Sequence, residues 1–497
     1  MSGEEKKEEL RKNYWTYTAV AAGIGLLFDF GFYQSFMGIS NVIFGLAMLG
    51  VLAFLAKNLD IKPAKGSKLI MVGMGLLSVC GFFTANGGIL FFNWVFYCGL
   101  GLLLILKNLY ETKGWGLMDY FVNAMVYLFE GLMDIGDLFS NYSVYKKQYE
   151  KGQKNSFFAD PKVRSTILGI VIALPIALIV LALLASSDVI YGNVVGQLFG
   201  SLFEVDFIVN AFFYAFFCVA VGVGSYTYLS QFAGRKGKEP ARVKMEKRQP
   251  FAAIAFLAVM LILYLSFCGI QVGALFMGKM QLPKGYTYSE YAREGFGQLL
   301  FVCMVNFVIV LALCAFFHKN NLLKGMLSLT TICTYIMIAS SAYRMWMYVD
   351  AYGLTRKRVL VFWCLAVLAI WVVGMLCLVW KEHFDYFSYA VVAFVAVYLV
   401  LGFSRMDYWI AQYDLSMQQV YTDEEVYAEH DYEEVDQVTV DYLAYNLSLD
   451  AYPVFAENKD KMTKDGYEYC QEQMEDMNFG IRGFHLSKYL AKKSGFK

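Results

Sequence analysis

Long stretches without a charge alternate along the chain with short polar connections. The clearest are Ile167 to Ala185, Phe251 to Ile270, Val359 to Trp380 and Phe387 to Phe403. Each is close to the roughly 20 residues that a helix needs to cross a hydrocarbon core of about 30 Å. Backbone groups in lipid must be satisfied internally, and the stretches show no period-two alternation, so the pattern predicts helices and not barrel strands. Spans are expected at about 14–33, 38–56, 69–84, 88–106, 166–186, 206–231, 250–272, 298–317, 325–346, 359–380 and 386–404. The fold class is therefore all-α: a polytopic transmembrane helical bundle of about eleven spans with a small C-terminal helical domain.

Two parts do not read as spans. Met118, Phe121, Val122, Met125, Phe129, Leu132, Met133, Leu138 and Phe139 recur at helical spacing, with Asp119, Asn123, Glu130, Asp134 and Asp137 opposite them. This predicts an amphipathic helix. Because its polar face is acidic, whereas helices lying on anionic lipid are usually basic, its apolar face is expected to pack on protein. Charge at Met125 or Leu132 should then be damaging and Asn123→Lys mild. The second part, 405–497, is acidic and rich in tyrosine, with Leu443, Leu447, Leu449 and Phe455 marking short helices that end at Pro453. The division is 1–107 as a four-span segment, 108–165 as a cytoplasmic linker carrying the amphipathic helix, 166–404 as a seven-span core and 405–497 as a C-terminal domain.

Charge placement orients the bundle. Lys57, Lys62, Lys65 and Lys68 mark one connection, and Lys146, Lys147, Lys151, Lys154, Lys162 and Arg164 a second. A third holds Arg235, Lys236, Lys238, Arg242, Lys244, Lys247 and Arg248. All three fall on the cytoplasmic side if the N-terminus is inside. Counting onward places Arg356, Lys357 and Arg358 outside, against the same rule, together with everything after Arg405. The opening MSGEEKKEELRKN reads as a cytoplasmic tail, since it has no small-residue cleavage site.

Composition narrows the class. Hydrophobic residues make up 58% and charged residues 17%, below the roughly 25% charged of soluble domains. With 42 basic and 42 acidic residues, nothing points to nucleic acid as a partner. Nine of the ten cysteines lie in or beside apolar stretches without CxxC spacing and read as packing residues. Asp29 alone interrupts a span clearly, near its outer end, where a solvated or snorkelled carboxylate is expected. Asn41, Asn93, Asn210 and Asn306 read as interhelical hydrogen-bonding groups.

Enzymatic patterns are thin. The four histidines, His318, His383, His430 and His485, lack metal spacing, and no cofactor is expected. The segment 424–436, EEVYAEHDYEEVD, could hold a hard cation weakly or be a solvated acidic linker. What remains is polar and lies at the predicted outer ends: Arg293 and Glu294 before one span, then Arg344, Tyr348 and Tyr352 at i, i+4 and i+8 on the end of the next, with Asp350 beside them and Asp188 beyond an earlier span. These are the candidate ligand-binding residues, for a small polar or anionic ligand held by a guanidinium and phenols. The competing role is a structural lock between helix ends.

The stretches ALPIALIVLALLASSDVIY (173–191), YSEYAREGFGQLL (288–300), AYRMWMYVDAYGLTRKRV (342–359), MDYWIAQYDL (406–415) and VDYLAYNLSLDAYPVF (440–455) follow in that order. Together with the closing IRGFHLSKYLAKK (481–493), they resemble the bacterial membrane-protein family called domain of unknown function 4173. The resemblance runs from about residue 160 onward, and YAREGF with AYGLTRKR carries it. Ser404, Arg405, Met406 and Asp407 stand where that family often has an Asn-Pro-Asp-Ala-like segment. The resemblance implies a bacterial cytoplasmic membrane protein and no activity. Three functions stay open: a ligand-binding, sensing or regulatory membrane protein, a small-solute permease, and a membrane-embedded transferase. Besides the lipid bilayer and a ligand on the outer face, no partner is specified.

Overall fold

The computed structural model describes residues 3–33, 38–61, 63–149, 205–235, 239–241, 247–273, 288–381, 384–417, 435–476, 480 and 482–495, with backbone alone at 3–4, 205–212, 288–295, 351, 435–439 and 476. The helices are α1 Gly3–Lys12, α2 Tyr14–Phe32, α3 Ile39–Asn58, α4 Ser67–Cys80, α5 Gly87–Leu109, α6 Leu117–Met133, α7 Asp137–Gln148, α8 Val205–Arg235 and α9 Phe251–Val272. They continue as α10 Tyr288–Phe316, α11 Asn321–Tyr352, α12 Arg356–Trp380, α13 Tyr386–Phe403, α14 Met406–Ser416, α15 Val435–Asn446, α16 Tyr452–Glu457, α17 Lys464–Asp476 and α18 Leu486–Ser494. Among the described residues there is no strand, only an isolated bridge between Arg248 and Phe317. The all-α expectation holds.

Nine of these helices are long and apolar enough to cross a membrane: α2, α3, α5, α9, α11 to Asp350, α12, α13, and the stretches Phe213–Arg235 of α8 and Phe296–Phe316 of α10. The chain is a multi-pass integral membrane protein. The shorter apolar α4 falls on the expected span at 69–84, and the expected span at 166–186 lies outside the described residues. Local signals stop and start the helices where polar caps occur. Asn86, Asn320, Thr355 and Asp385 each accept a hydrogen bond from a backbone N–H in the first turn of the helix that follows.

The chain divides into two compact units. The first comprises Met1–Phe36, Gly50–Lys62 and Met125–Glu239. In it α2 and α8 run so close that a Cβ on Gly25 would meet the carbonyl oxygen of Cys218, and the Tyr33 and Tyr214 rings lie 4.0 Å apart. Small residues allow this approach, which lets dispersion hold the two helices in lipid. Asp29 is buried on α2 instead of being solvated. Its place on a helix pressed against a neighbour takes it out of reach of water. The charged α1 packs into this unit. Leu10 is fully buried with Tyr14, Tyr17, Tyr226 and Ala233, Lys7 lies 3.3 Å from Asp137, and Arg11 Nε donates to Asn141 at 3.0 Å.

The second unit comprises Met37–Leu49, Pro63–Ala124 and Pro240–Lys497. Its membrane core packs α9, α10, α11 and α12 around Leu257, Val310, Leu327, Met337 and Met375. Polar side chains join helices inside it: Asn306 Nδ2 donates to Thr334 Oγ1 at 3.1 Å, and Ser340 Oγ to Gln271 Oε1 at 2.8 Å. The expectation for Asn306 is met. One end of this unit is marked by Lys107 Nζ on Ser388 Oγ (2.6 Å), His318 N on the Arg248 carbonyl (3.0 Å) and Lys319 Nζ on the Leu378 carbonyl (2.7 Å). The opposite end carries residues 82–86, 353–358 and 404–408, capped by a C-terminal core of Ala411, Leu443, Leu449, Tyr452, Phe455 and Cys470.

The amphipathic segment is helical as expected, but it is turned the other way. Asn123 is 1% exposed, its amide donating to the Asp119 and Ala241 carbonyls and accepting from Ala241 N, whereas Phe121, Phe129, Leu132 and Met133 face outward. Asn123→Lys is therefore not a mild change. It would bury an ammonium where an amide now satisfies both donor and acceptor.

Candidate functional site

The capped end of the second unit is built from the corner Tyr352 to Arg358. Helix α11 stops because Gly353 takes φ 72°, a left-handed conformation that glycine adopts freely, and Thr355 restarts the chain as the cap of α12. Arg358 folds back over this corner. Its Nη1 donates to the carbonyls of Tyr352 at 2.6 Å and Gly353 at 2.5 Å, and its guanidinium sits 4.0 Å from the centre of the Tyr348 ring. A cation placed on the last carbonyls of a helix meets the negative end of the helix dipole, and the ring face adds a cation–π attraction.

Arg356 points to the first turn of α14. Its Nε and Nη2 donate to Asp407 Oδ1 and Oδ2 at 2.8 and 2.6 Å, a bidentate pair. Asp407 is 0% exposed, and its Oδ2 also accepts from Asn86 Nδ2 at 3.1 Å and from Ser448 N at 3.0 Å. One carboxylate thus ties the starts of α5 and α12 to the segment entering the C-terminal core. Asp414, two turns along α14, accepts from Leu354 N at 2.6 Å. Asp450 completes the set by accepting from Thr84 Oγ1 at 2.6 Å and Ala85 N at 3.1 Å. Burial pushes the Asp450 carboxyl above the usual range, against the opposing pull of its hydrogen bonds. Arg356 and Arg358 of the basic trio are thus both engaged with partners inside the chain.

The candidate residues divide accordingly. Tyr348 and Tyr352 come together, with rings 5.2 Å apart, and Arg358 covers the Tyr348 ring. Arg344 lies one turn before Tyr348 and is 8% exposed. Asp350 is exposed on the last turn and, after burial, contributes to raising the Tyr413 phenol on α14. Arg293 and Glu294 belong to the first turns of α10, but their side chains, like Asp188 altogether, lie outside the described residues, as does most of 424–436. Arg356, Arg358, Asp407, Asp414, Asp450 and Asn86 are not among the residues the sequence reading puts forward as a site. For two of them a signal exists: Asp407 and Asp414 stand seven residues apart on one face of a helix directly after the last span, where they are its only charges. Among the described residues no group of three or more His, Cys, Asp and Glu could hold a metal.

The tail is fastened by His485, which is 1% exposed and whose Nδ1 accepts from Lys488 N at 3.3 Å as the cap of α18. Next to it Leu486 N donates to the Phe82 carbonyl and Ser487 Oγ to the Phe83 carbonyl. Burial, with the Lys488 charge second, lowers the imidazole from 6.5 to about 4. The folded state favours neutral His485, so this contribution is complete above pH 6.5 and is lost as pH falls toward 4, by about 3 kcal/mol in all. Limited trypsin digestion of the full chain is expected to cut at Lys488 and Lys492 faster at pH 5 than at pH 7.5, relative to an internal reference site. His485→Gln should abolish that difference.

No curated protein and no solved structure matches the chain. A family model does match, and it corrects the resemblance drawn from YAREGF and AYGLTRKR: the family is not domain of unknown function 4173 but a different one. Short motifs from spans are built of the same few residue types in many membrane families, whereas a model over several hundred positions is not satisfied by composition alone. The chain belongs to the family described as Domain of unknown function (DUF4153), whose model matches residues 71–458, from within α4 to the end of α16 and across the whole Arg356–Asp407–Asp450 network.

Proposed function

We propose that the chain is a ligand-binding, sensing protein of the bacterial cytoplasmic membrane, with the N-terminus inside and the Arg356–Asp407 end outside. The observation that carries the reading is Arg344, a guanidinium buried on α11 about 12 Å inside the helix end, by the rise of 1.5 Å per residue. Charges held inside membrane helices are unfavourable and are retained mainly for work on ions or ligands. Tyr348, Tyr352 and Arg358 stand between Arg344 and the helix end, so an anionic or sugar-like molecule arriving there would meet phenols first and the buried cation behind them. The Asp407 network connects that end to both the α5 start and the C-terminal core, so a change at α11 has a route to the capping helices. A second reading, a small-solute permease, has less support, since the buried hydroxyls of Thr330, Thr334, Ser340 and Ser341 donate to α11 carbonyls or to Gln271.

The test uses the full chain in lipid nanodiscs and measures thermal unfolding with inorganic phosphate, succinate or glucose 6-phosphate as probe. A bound probe at 100 times its Kd raises stability by about 2.7 kcal/mol. At least one probe is expected to raise the melting temperature of the wild type, with the response lost in Arg344→Gln and the probe-free melting temperature preserved. If Arg344→Gln lowers the probe-free melting temperature and no probe shifts the wild type, Arg344 is a structural lock and the ligand reading fails. Uptake of the same probe into proteoliposomes would replace sensing by transport.

A further inference from the structure

We propose that α6 is an interfacial helix whose apolar side is inserted at the acyl–headgroup boundary of the membrane that the chain spans. Two opposite stripes run along this helix. Tyr120, Asn123, Tyr127 and Gly131 form the inner one, and Met118, Phe121, Phe129, Leu132 and Met133 the outer one, where Leu132 is 61% and Met133 80% exposed. The helix belongs to both compact units, up to Ala124 in one and from Met125 in the other, and each half shows the same arrangement.

The inner stripe is held at the ends of spans. In the first half, Tyr120 stacks on Phe387, in the first turn of α13, at 4.2 Å, and Asn123 exchanges hydrogen bonds with Ala241, ahead of α9. In the second half, Tyr127 Oη donates to the Tyr228 carbonyl and Gln231 Nε2 to the Tyr127 carbonyl, on the last turns of α8, while a Cβ on Gly131 would run into the Tyr228 ring. A helix fixed at this level has the boundary region beside it. Within the second unit, Phe251, Leu322 and Trp380 at the same end are exposed like Met118 and Phe121, as apolar and aromatic residues at span ends are beside a membrane.

Charge supports the bilayer over a protein partner. The two carboxylates of α6 have partners within the chain: Asp119 Oδ2 accepts from Gly116 N at 2.9 Å at the start of the helix, and Glu130, with its side chain 45% exposed, forms an ion pair with Arg235, while Asp134 just past the helix end is exposed. These are the only two carboxylates in α6, and the outer stripe holds no charge. Such a surface suits the boundary region, where apolar area is removed from water at about 25 cal/mol per Å² and no specific partner is needed. This assignment is independent of the ligand reading for Arg344.

The experiment reconstitutes the full chain in phosphatidylcholine nanodiscs containing a lipid with a photoactivatable diazirine in its acyl chain, and maps adducts by mass spectrometry. Ile262 of α9, 70% exposed in the middle of a span, is the positive reference. Adducts are expected on Phe129, Leu132 and Met133 at yields comparable with Ile262, and none on Asn123 or Tyr127. Phe129→Ser with Leu132→Ser, which leaves the inner stripe untouched, should preserve the fold and lose adducts in α6 alone. Adducts at Ile262 with none on α6, accompanied by hydroxyl-radical footprinting of Phe129 and Leu132 from water, would overturn the proposal. So would adducts that appear on α6 only after a tightly associated protein is stripped away.

Discussion

Arg356→Ala is expected to be the most damaging single change in the second unit, costing about 3–5 kcal/mol because it strands a buried carboxylate. Asp407 is fully buried and would keep only Asn86 Nδ2 and Ser448 N as partners. The two halves of the pair are not equivalent. The Arg356 side chain is 39% exposed against 0% for Asp407, so a guanidinium left alone can turn to water and a carboxylate cannot. Asp407→Asn should therefore cost less than Arg356→Ala, and Arg356→Met with Asp407→Leu together less than the sum of the separate changes. Denaturation in detergent micelles gives the energies, and hydrogen exchange locates them. Protection should drop first at Leu443 to Phe455, whose attachment depends on Ser448, while the interior of α12 stays protected.

Gly25→Ala is expected to separate α2 from α8, whereas Gly23→Ala, two residues away, is expected to stabilise. The Cβ added at Gly25 meets backbone, the carbonyl of Cys218, which cannot rotate aside like a side chain, while nothing lies within 4 Å of a Cβ at Gly23. Overpacking of this kind costs about 1–3 kcal/mol, and replacing a helical glycine by alanine in open space gains up to about 1 kcal/mol. The melting temperatures of the two variants in nanodiscs should move in opposite directions. A fall in both would show that helix propensity and lipid contact, and not the close approach, control this pair.

Much of the fold was legible because the bilayer is a severe solvent. An apolar stretch of about 20 residues has essentially one way to satisfy its backbone in lipid, so the spans could be read from Phe251 to Ile270 or Phe387 to Phe403 without knowing any neighbour. Caps are local as well, and Thr355 and Gly353 mark their corner in the sequence itself. The candidate site was legible only on α11, where Arg344, Tyr348 and Tyr352 share a face by helical periodicity. The residues that organise that end, Asn86, Asp407 and Asp450, are separated by more than 300 positions in part, and no local rule brings them together.

The direction in which α6 turns shows the same boundary from the other side. Periodicity determined that residues 117–133 form an amphipathic helix, because that depends on the order of side chains alone. Which stripe faces protein depended on what stood opposite: the Ala241 backbone for Asn123, Tyr228 for Tyr127 and Arg235 for Glu130. In water the apolar stripe would be the one to bury. Beside a membrane, polar groups gain most from a protein partner, and the phenylalanines and leucines find an apolar medium outside. Most of the spans, their caps and the stripes along a helix thus follow from the order of residues, since they are properties of neighbours in a given solvent. The partner of each stripe and of each charge came from the folded chain, because those free energies arise between segments far apart in the sequence.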